Sequence, residues 1–188
     1  MTRRSTWTIV LAAVALVAAA AAIELAMGRV VMCRCGYVKL WQGVVNSSEN
    51  SQHVTDWYTF SHVIHGLGFY ALLWLVARRL PVGTRFLVAV VLEAAWEVFE
   101  NTDLIINRYR EATISLDYYG DSVLNSVCDI LAMTAGFVAA SRLRVWVVLA
   151  LTAAFEVFVA WSIRDNLLLN IIMLIYPLDS VRAWQAGG

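Results

Sequence analysis

Three glutamates near the middle of the chain have the spacing of one helical face. Glu93, Glu97 and Glu100 are related as i, i+4 and i+7, and they close an apolar run that begins near residue 86. An ionised side chain is unfavourable inside a bilayer, so this face must contact protein, water or a bound cation. Glu97 and Glu100 are therefore candidate catalytic acid–base residues. Glu93 and Asn101 are additional candidates for the same site.

All three histidines of the chain lie between residues 53 and 65. His62 and His65 are spaced i, i+3 and share a face of the helix that they open. A pair of imidazoles inside a membrane indicates a functional site, whereas a single one is usually a hydrogen-bonded structural group. We interpret the pair as metal ligands, and His53, Asp56 and Tyr70 as substrate-binding residues near them. Tyr70 either orients an imidazole or simply packs.

A third polar stripe follows a loop that holds Arg110. Asp121, Asn125 and Asp129 are spaced i, i+4 and i+8, which again places them on one helical face. Asp121 and Asp129 are candidate metal ligands, and Asn125 is a candidate substrate-binding residue. Arg110 is a candidate catalytic residue that binds a phosphate. Imidazole and carboxylate ligands together favour a divalent metal such as Zn, Mn or Fe.

The elements that position these stripes are membrane helices. The 188 residues are 61% hydrophobic with a mean hydropathy of +0.68, which is outside the range of soluble domains. We predict an all-α polytopic membrane protein with a single domain, residues 1–188. Its five transmembrane helices are predicted at about 7–27, 59–77, 84–100, 120–140 and 145–163. A shorter apolar run, 167–176, is interrupted by Asn170 and predicts an interfacial or re-entrant helix.

Basic residues beside the spans predict how the chain crosses the membrane. Segments 1–6, 78–85 and 141–144 hold seven arginines and no acid, which is typical of cytoplasmic loops. This predicts a multi-pass protein of the cell inner membrane, in contact with lipids, with a cytoplasmic N-terminus and a periplasmic C-terminus. A cleaved signal peptide is the alternative for the first span, although its apolar run is long for one. No basic run indicates nucleic-acid binding.

Residues 28–58 form a long outer loop, which we predict to be an ordered cap over the site-bearing helices of residues 59–140. Its aromatic residues suit a membrane surface, and residues 37–45 are predicted to form a short structured element. Cys33 and Cys35 lie in this loop. A bridge across one intervening residue is strained and two thiols alone make a poor zinc site, so we predict that both cysteines are dispensable for folding.

Several motifs carry a resemblance to known families. SQH at 51–53, DWYT at 56–59, SHVIHG at 61–66 and CGYVKLW at 35–41 resemble an uncharacterised family of alphaproteobacterial inner-membrane proteins, over nearly the full chain. That resemblance implies an inner-membrane location and no activity. Residues 56–140 are more distantly similar to VanZ-like membrane proteins, which share a similar order of His, Glu, Arg and Asp-x-x-x-Asn. Glu100 in place of the usual glutamine, and the extra His62 and Asp129, depart from the VanZ-like pattern.

Three functions are compatible with these residues. The first is a metal-dependent hydrolase or transferase that acts on a lipid or lipid-linked substrate in the outer leaflet. The second is a non-enzymatic module that binds a cation, a proton or a lipid head group. The third is structural, with the polar groups as interhelical hydrogen bonds worth about 0.6 kcal/mol each. The first two require the three stripes to converge on one outer-leaflet cavity, closed on its inner side by apolar residues such as Leu87 and Met133.

Overall fold

The computed structural model describes residues 3–187, which contain eight α-helices and no β-strand. The helices are α1 (Arg3–Ala26), α2 (Thr59–Ala77), α3 (Val82–Glu100), α4 (Asp103–Ala112), α5 (Val123–Ala140), α6 (Val145–Ile163), α7 (Leu167–Ile175) and α8 (Asp179–Gln185). The all-α prediction is confirmed. Local chemistry sets some of the helix starts. The Ser122 side chain, for example, caps α5 by accepting a hydrogen bond from the backbone N–H of Asn125.

Four helices are long and apolar enough to cross a membrane. They are α2, α5, α6 and the segment Thr6–Ala26 of α1. Helix α3 equals α2 in length, at 19 residues, but its arginine and three glutamates make it less apolar. The fifth predicted span therefore stays a prediction. The structure begins α3 at Val82 and α5 at Val123, against predicted starts of 84 and 120.

Two parts of the chain hold more helix than the sequence predicted. The outer loop between α3 and α5 contains α4, a polar helix that buries Ile106 and Ala112. The single short helix predicted near the C-terminus is two helices, α7 and α8, with Pro177 between them. Proline cannot donate the backbone hydrogen bond that would continue α7. Helix α4 contributes Tyr109 to the wall of the polar cavity, and α7 contributes Leu167 and Asn170.

Helices α2 and α5 cross in direct backbone contact. A Cβ atom on Gly66 would lie 2.0 Å from the carbonyl oxygen of Met133, and one on Gly136 would lie 2.1 Å from that of Val63. Neither position has room for a side chain. Gly66 of α2 and Gly136 of α5 therefore permit the close contact of the two helices.

The apolar core lies below the polar stripes, between α1, α2, α3 and α5. Its buried members are Ala20, Leu73, Ala89, Val90, Ala94, Ile130, Met133 and Phe137. Helix α6 contacts α2 and leaves most of its apolar side chains exposed. Apolar side chains exposed along a helix of this length are those expected to face lipid.

The segment between α1 and α2 covers the N-terminal end of α5. The first backbone N–H groups of a helix have no acceptor inside the helix. Here those of Val123 and Leu124 donate to the carbonyl oxygens of Val30 and Val31, and that of Ser122 donates to Ser51. The segment therefore completes the helix end and is held in place by it.

The loop before α2 is organised by Asp56. Its Oδ2 accepts from the backbone N–H of Ser51 at 3.1 Å, and its Oδ1 accepts from that of Tyr58 at 2.8 Å. Cys33 and Cys35 form a disulfide in the same cap, with their Cα atoms 5.2 Å apart. Their dispensability for folding stays a prediction.

Candidate functional site

A buried glutamate joins the two histidines of α2. Glu93 Oε1 lies 2.6 Å from His62 Nδ1, and the two Glu93 oxygens lie 3.1 and 3.0 Å from His65 Nδ1. Glu93 has no exposed surface. One carboxylate thus holds both imidazoles by the same ring nitrogen, an arrangement that fixes ring orientation and leaves each Nε2 to other partners.

Glu97 is the most unusual side chain of the site. It is 0% exposed, and neither of its carboxylate oxygens accepts a hydrogen bond from any residue that the structure describes. His62 Nδ1 is 3.3 Å from Glu97 Oε1, but the shorter contact of that nitrogen is with Glu93. A buried carboxylate without a donor is unfavourable unless a cation or a proton offsets its charge.

Three groups of side chains in the described structure are close enough to share one metal ion. One of them, in the cap, consists of His53 and the disulfide-bonded Cys33 and Cys35, and the other two lie at the polar stripes. His62, Glu97 and Glu100 form the first, and His62, His65 and Glu93 form the second. In each group one ligand atom per residue lies within 4.8 Å of the others. All three members of the first group are buried. His62 belongs to both groups and is therefore the central residue of the site.

The acids of the α5 stripe reach the same region. Asp129 Oδ2 lies 3.8 Å from His62 Nε2, and its Oδ1 accepts from the Thr59 hydroxyl at 3.3 Å. Asp121 accepts from the Tyr118 hydroxyl at 3.1 Å and from Asn101 Nδ2 at 3.2 Å. Asn101 therefore connects the end of α3 to the start of α5.

A small cavity lies between these groups and α7. Its volume is about 50 Å³. Five predicted site residues line it: His62, His65, Glu100, Asp121 and Asp129. Its other walls are Asn50, Ser51, Tyr58, Ser61, Trp96, Tyr109, Ser115, Tyr118, Leu167 and Asn170. The three stripes thus share one cavity, as a common site requires, while the roles predicted for the residues stay predictions.

Apolar side chains form the core directly below the site. Met133, one of the two residues expected to close its inner side, is 0% exposed and lies in this core together with Val90 and Ile130. Leu87, the other, is not part of it. Val90 therefore occupies the place below the site that was predicted for Leu87. Helical periodicity explains this difference, because Val90 is one turn closer than Leu87 to the glutamates of α3.

Some predicted site residues do not reach the cavity. Arg110 is exposed, and its Nε donates to the backbone carbonyl of Tyr118 rather than facing a ligand. Tyr70 packs edge-on against Phe137 in the core and lies beneath the guanidinium of Arg85. Of the two predicted roles of Tyr70, its position therefore agrees with packing. The side chain of Arg110 is not placed to contact a phosphate in the cavity.

Two others, His53 and Asp56, belong to the cap. His53 stacks on Tyr37, accepts from the backbone N–H of Lys39 at 3.2 Å and contacts Glu49 through Nε2 at 3.1 Å. Asn125 does not line the cavity either, because its side chain donates to the His53 carbonyl at 3.0 Å. These residues hold the cap on α5 and do not line the cavity, and their role in substrate binding stays a prediction.

Several residues of the site region were not assigned to it from the sequence. Asn50, Tyr58 and Asn170 line the cavity, and buried Asp165 accepts from the Tyr58 hydroxyl at 3.1 Å and from Asn170 Nδ2 at 2.7 Å. Glu24 of α1 is 0% exposed and lies near Asp121. In the sequence, the interruption of an apolar run by Asn170 could have indicated that this residue belongs to the site. Asn50 and Tyr58 belong to no helical stripe, so the sequence pattern did not indicate their place in the site.

The electrostatics outside the spans differ between cap and cavity. Burial raises the pKa of Asp165 from its usual value to about 6. Hydrogen bonds from Lys39, Tyr37 and His53 lower the pKa of the half-buried Glu49 carboxyl to about 2. Among the described residues that line the cavity, none is lysine or arginine. The two histidines, His62 and His65, are therefore the only basic side chains among the described residues that line the cavity.

Comparison with known proteins identifies the family. Residues 24–187 match the model of a family described as a protein of unknown function, DUF2585. The chain belongs to this family. Its relatives include the UPF0314 protein of Sinorhizobium fredii, 57% identical over 98% of this chain and 94% of that protein, and that of Paracoccus denitrificans, 62% identical over 86% and 83%. The UPF0314 protein of Sphingopyxis alaskensis is 54% identical over 95% of each chain.

No solved structure matches this DUF2585 chain. The resemblance to an uncharacterised alphaproteobacterial family is confirmed, and these names assign no activity or ligand. The more distant similarity to VanZ-like proteins stays a prediction. What the site does must therefore be argued from its geometry.

Proposed function

We propose that this DUF2585 protein is an integral protein of the inner membrane that binds a divalent metal ion, Zn, Mn or Fe, between α2, α3 and α5. His62, Glu97 and Glu100 would hold the ion, because they are buried and their ligand atoms lie within 4.8 Å of one another. One imidazole and two carboxylates are ligands that these metals accept, whereas an all-oxygen set would favour Mg or Ca.

The single observation that carries the proposal is the Glu97 carboxylate, buried without a hydrogen-bond donor. The structural alternative, in which the polar groups form interhelical hydrogen bonds, does not explain Glu97, because its carboxylate accepts no hydrogen bond from the described residues. Glu100 is also buried and belongs to the same group of three, so the two acids repel each other unless a proton or a cation lies between them. A divalent cation offsets both charges.

Glu93 has a different part in this proposal. It contacts Nδ1 of both imidazoles, so it orients the rings and raises their basicity toward a metal. His62 Nε2 then faces Asp129, whose carboxylate is 3.8 Å away and available to accept a proton. Glu93 is thus a positioning residue, and Asp129 is a candidate base beside the metal group.

The chemistry that follows is hydrolysis or group transfer on a lipid or lipid-linked substrate. When bound, a divalent metal would lower the pKa of a coordinated water and polarise a carbonyl or phosphoryl oxygen. The cavity of about 50 Å³ has room for water next to the metal group, and it is lined by carboxylates that can exchange protons. A substrate larger than this cavity requires movement of α7, which lines it through Leu167 and Asn170.

A non-enzymatic cation-binding module is the second candidate function. The small volume of the cavity favours it, because an ion enters without displacement of α7 while a lipid head group does not. Both candidates require the same ion at the same residues. They differ in turnover of a lipid substrate, which binding measurements do not report.

Metal analysis of the detergent-purified full chain tests the proposal. We expect about one equivalent of a divalent transition metal per chain, and its loss in Glu97→Gln with unchanged or increased thermal stability, because the substitution keeps the shape and removes the charge. Glu156→Gln is the matched control. Glu156 is partly buried on α6, accepts from the backbone N–H of Leu168 at 3.2 Å and does not line the cavity. Equal metal content in the wild type and Glu97→Gln would contradict the proposal.

Reporter fusions test the proposed orientation in the inner membrane. Fusions at Gly83 and Ser141 should report the cytoplasm, and fusions at Asn50 and Glu111 the periplasm, because the arginine-rich segments are expected on the cytoplasmic side. A periplasmic signal at Gly83 would reverse the orientation and place the cavity in the inner leaflet.

A further inference from the structure

We propose that the part of the cavity next to α7 binds a primary ammonium group, either of a small free amine or of a lipid head group. The inference rests on the proposed function, because it names the class of substrate for that same site. It is carried by the hydrogen-bonding capacity, the charge and the aromatic lining of the cavity.

Two buried amides leave unpaired atoms in this part of the cavity. Asn50 is 2% exposed, and neither its Oδ1 nor its Nδ2 has a hydrogen-bond partner among the described residues. Asn170 is 6% exposed, and its Nδ2 donates to Asp165 at 2.7 Å while its Oδ1 is unpaired. Both residues line the cavity. A ligand that donates hydrogen bonds satisfies both amide oxygens, and an oxygen next to the amine would satisfy Asn50 Nδ2.

Tyrosine hydroxyls add further acceptors. Tyr118 directs its hydroxyl hydrogen toward Asp121 at 3.1 Å, and Tyr58 directs its own toward Asp165 at 3.1 Å while its oxygen also contacts the Ser115 hydroxyl at 3.0 Å. A hydroxyl that donates to a carboxylate keeps its oxygen lone pairs as acceptors. With the amide oxygens, these groups form a lining richer in acceptors than in donors. An ammonium carries three donors and no acceptor, which complements such a lining.

The side chains of the site are mainly acidic, which suits a positively charged ligand such as an ammonium. Glu93, Glu97, Glu100, Asp121 and Asp129 are all buried. The two histidines contact Glu93, Glu97 and Asp129, so Glu100 and Asp121 have no basic partner among the described residues. No lysine or arginine is among the described lining residues, so an anionic group would meet the carboxylates without a basic partner. This disfavours a phosphate in this part of the cavity and favours a cation.

Aromatic side chains also suit an ammonium. Tyr58, Trp96, Tyr109 and Tyr118 line the cavity. Aromatic rings attract cations that lie within about 6 Å of the ring centroid, most strongly where water is excluded. The volume of about 50 Å³ limits the bound group to a small ammonium rather than a quaternary one with bulky substituents.

Calorimetric titration of the metal-loaded full chain with methylammonium chloride tests the inference. We expect saturable binding of methylammonium and none of methanol, which has a similar size but no charge. Asn50→Leu should weaken methylammonium binding roughly 10-fold or more, because it removes acceptors that face a charged donor. Asn50→Leu should fold normally, because its amide has no hydrogen-bond partner to lose within the described structure.

Asn170→Leu provides a second test with a matched control. It should also weaken methylammonium binding roughly 10-fold, but it removes a bond to Asp165 as well. Gln185→Leu removes another bond to Asp165, of 3.2 Å, from a residue that does not line the cavity, and should leave binding unchanged. Equal methylammonium affinity in the wild type and both asparagine variants would overturn the inference.

Metal titration of the same preparations separates the two proposals. Metal binding retained in the wild type and Asn50→Leu, without any response to an amine, overturns the ammonium site alone, whereas absence of metal binding in the wild type overturns the proposed function.

Nanodiscs distinguish the sources of the amine. Higher thermal stability in phosphatidylethanolamine than in phosphatidylglycerol, lost in Asn50→Leu, assigns the ammonium to a lipid. Saturable methylammonium binding without that difference assigns it to a free amine. Neither response overturns the inference.

Discussion

The two ends of the α2–α5 pair follow opposite packing principles. At the packed end, around Gly66 and Gly136, the two backbones approach so closely that a Cβ would lie about 2 Å from a carbonyl oxygen. At the cavity end, around His62 and Asp129, the same helices border a cavity of about 50 Å³ with unpaired polar atoms on its walls. His65 and Gly66 are neighbours in the chain, so the change occurs within one helical turn.

This difference indicates how the fold tolerates an unfavourable site. Buried acids without partners lower stability. Close backbone packing immediately below them holds the helices at a fixed separation, so the cavity cannot collapse to relieve the charge. Stability is concentrated at the packed end and chemistry at the cavity end, and variants at the two ends should therefore behave differently.

The largest effect is expected for Gly66→Ala at the packed end. The added Cβ would meet the Met133 carbonyl oxygen at 2.0 Å, so α2 and α5 must move apart. We expect a loss of at least about 3 kcal/mol, seen as failure to fold or a large drop in thermal stability in detergent. Gly68→Ala is the control, because a Cβ there meets nothing within 4 Å. Similar melting temperatures for the two variants would show that the packed end is not where stability is concentrated.

The pH dependence of stability tests the cavity end through Asp165, which contacts Tyr58 and Asn170. Its folded-state pKa is raised to about 6, above the ordinary value, so the folded protein binds the Asp165 proton more tightly than the unfolded chain. This contribution is fully present below about pH 4 and is lost as the pH rises to about 6. Relative to Asp165→Asn, the wild type should lose up to about 3 kcal/mol across that window. A constant difference between the two unfolding curves would contradict this.

Glu93→Gln should separate orientation of the histidines from their presence. The Glu93 carboxylate contacts His62 and His65 at 2.6 to 3.1 Å. The substitution removes its negative charge and replaces one of its two acceptor oxygens with a donor nitrogen. We expect metal affinity to fall roughly 10-fold to 100-fold, with a changed pH profile of metal binding because the imidazoles lose an anionic partner. A purely structural Glu93 would lower thermal stability and leave the affinity and its pH profile as in the wild type.

The smallest effect is expected in the cap, at Cys33 and Cys35. Their disulfide closes a loop with one intervening residue, so it constrains the unfolded chain very little. Replacement of both cysteines by serine should leave thermal stability in detergent nearly unchanged. A decrease of more than about 10 °C would show that the bridge holds the cap on the cavity end.

Much of the fold and part of the site could be predicted because both depend on local periodicity. Glu93, Glu97 and Glu100 lie on one face of α3 wherever that helix packs, and the same holds for His62 with His65 on α2. The cost of charge in a membrane then requires those faces to turn inward. Their convergence on one cavity was therefore predictable, while the roles of the individual residues stay predictions.

Residues outside the helices could not be placed in the same way. Arg110 was expected at the site but lies outside the cavity, since α4 directs it toward the Tyr118 backbone. Asn50 and Asn170 enter the cavity because the cap and α7 fold back over it, a matter of chain path that no periodicity encodes. Asp165 became part of the site region for the same reason.

The sequence by itself determined that this is an all-helical chain that contains apolar helices of membrane-spanning length, and that acids and histidines form stripes on three helical segments. Hydrophobicity and the 3.6-residue period are properties of each segment, so they can be recognised without knowing which other segments pack against it. Only the tertiary structure decided that Glu97 has no hydrogen-bond partner, that Glu93 joins both histidines, and that Gly66 fixes the distance between α2 and α5. These features depend on atoms of different helices within a few ångströms of one another, and that proximity exists only after the chain has packed.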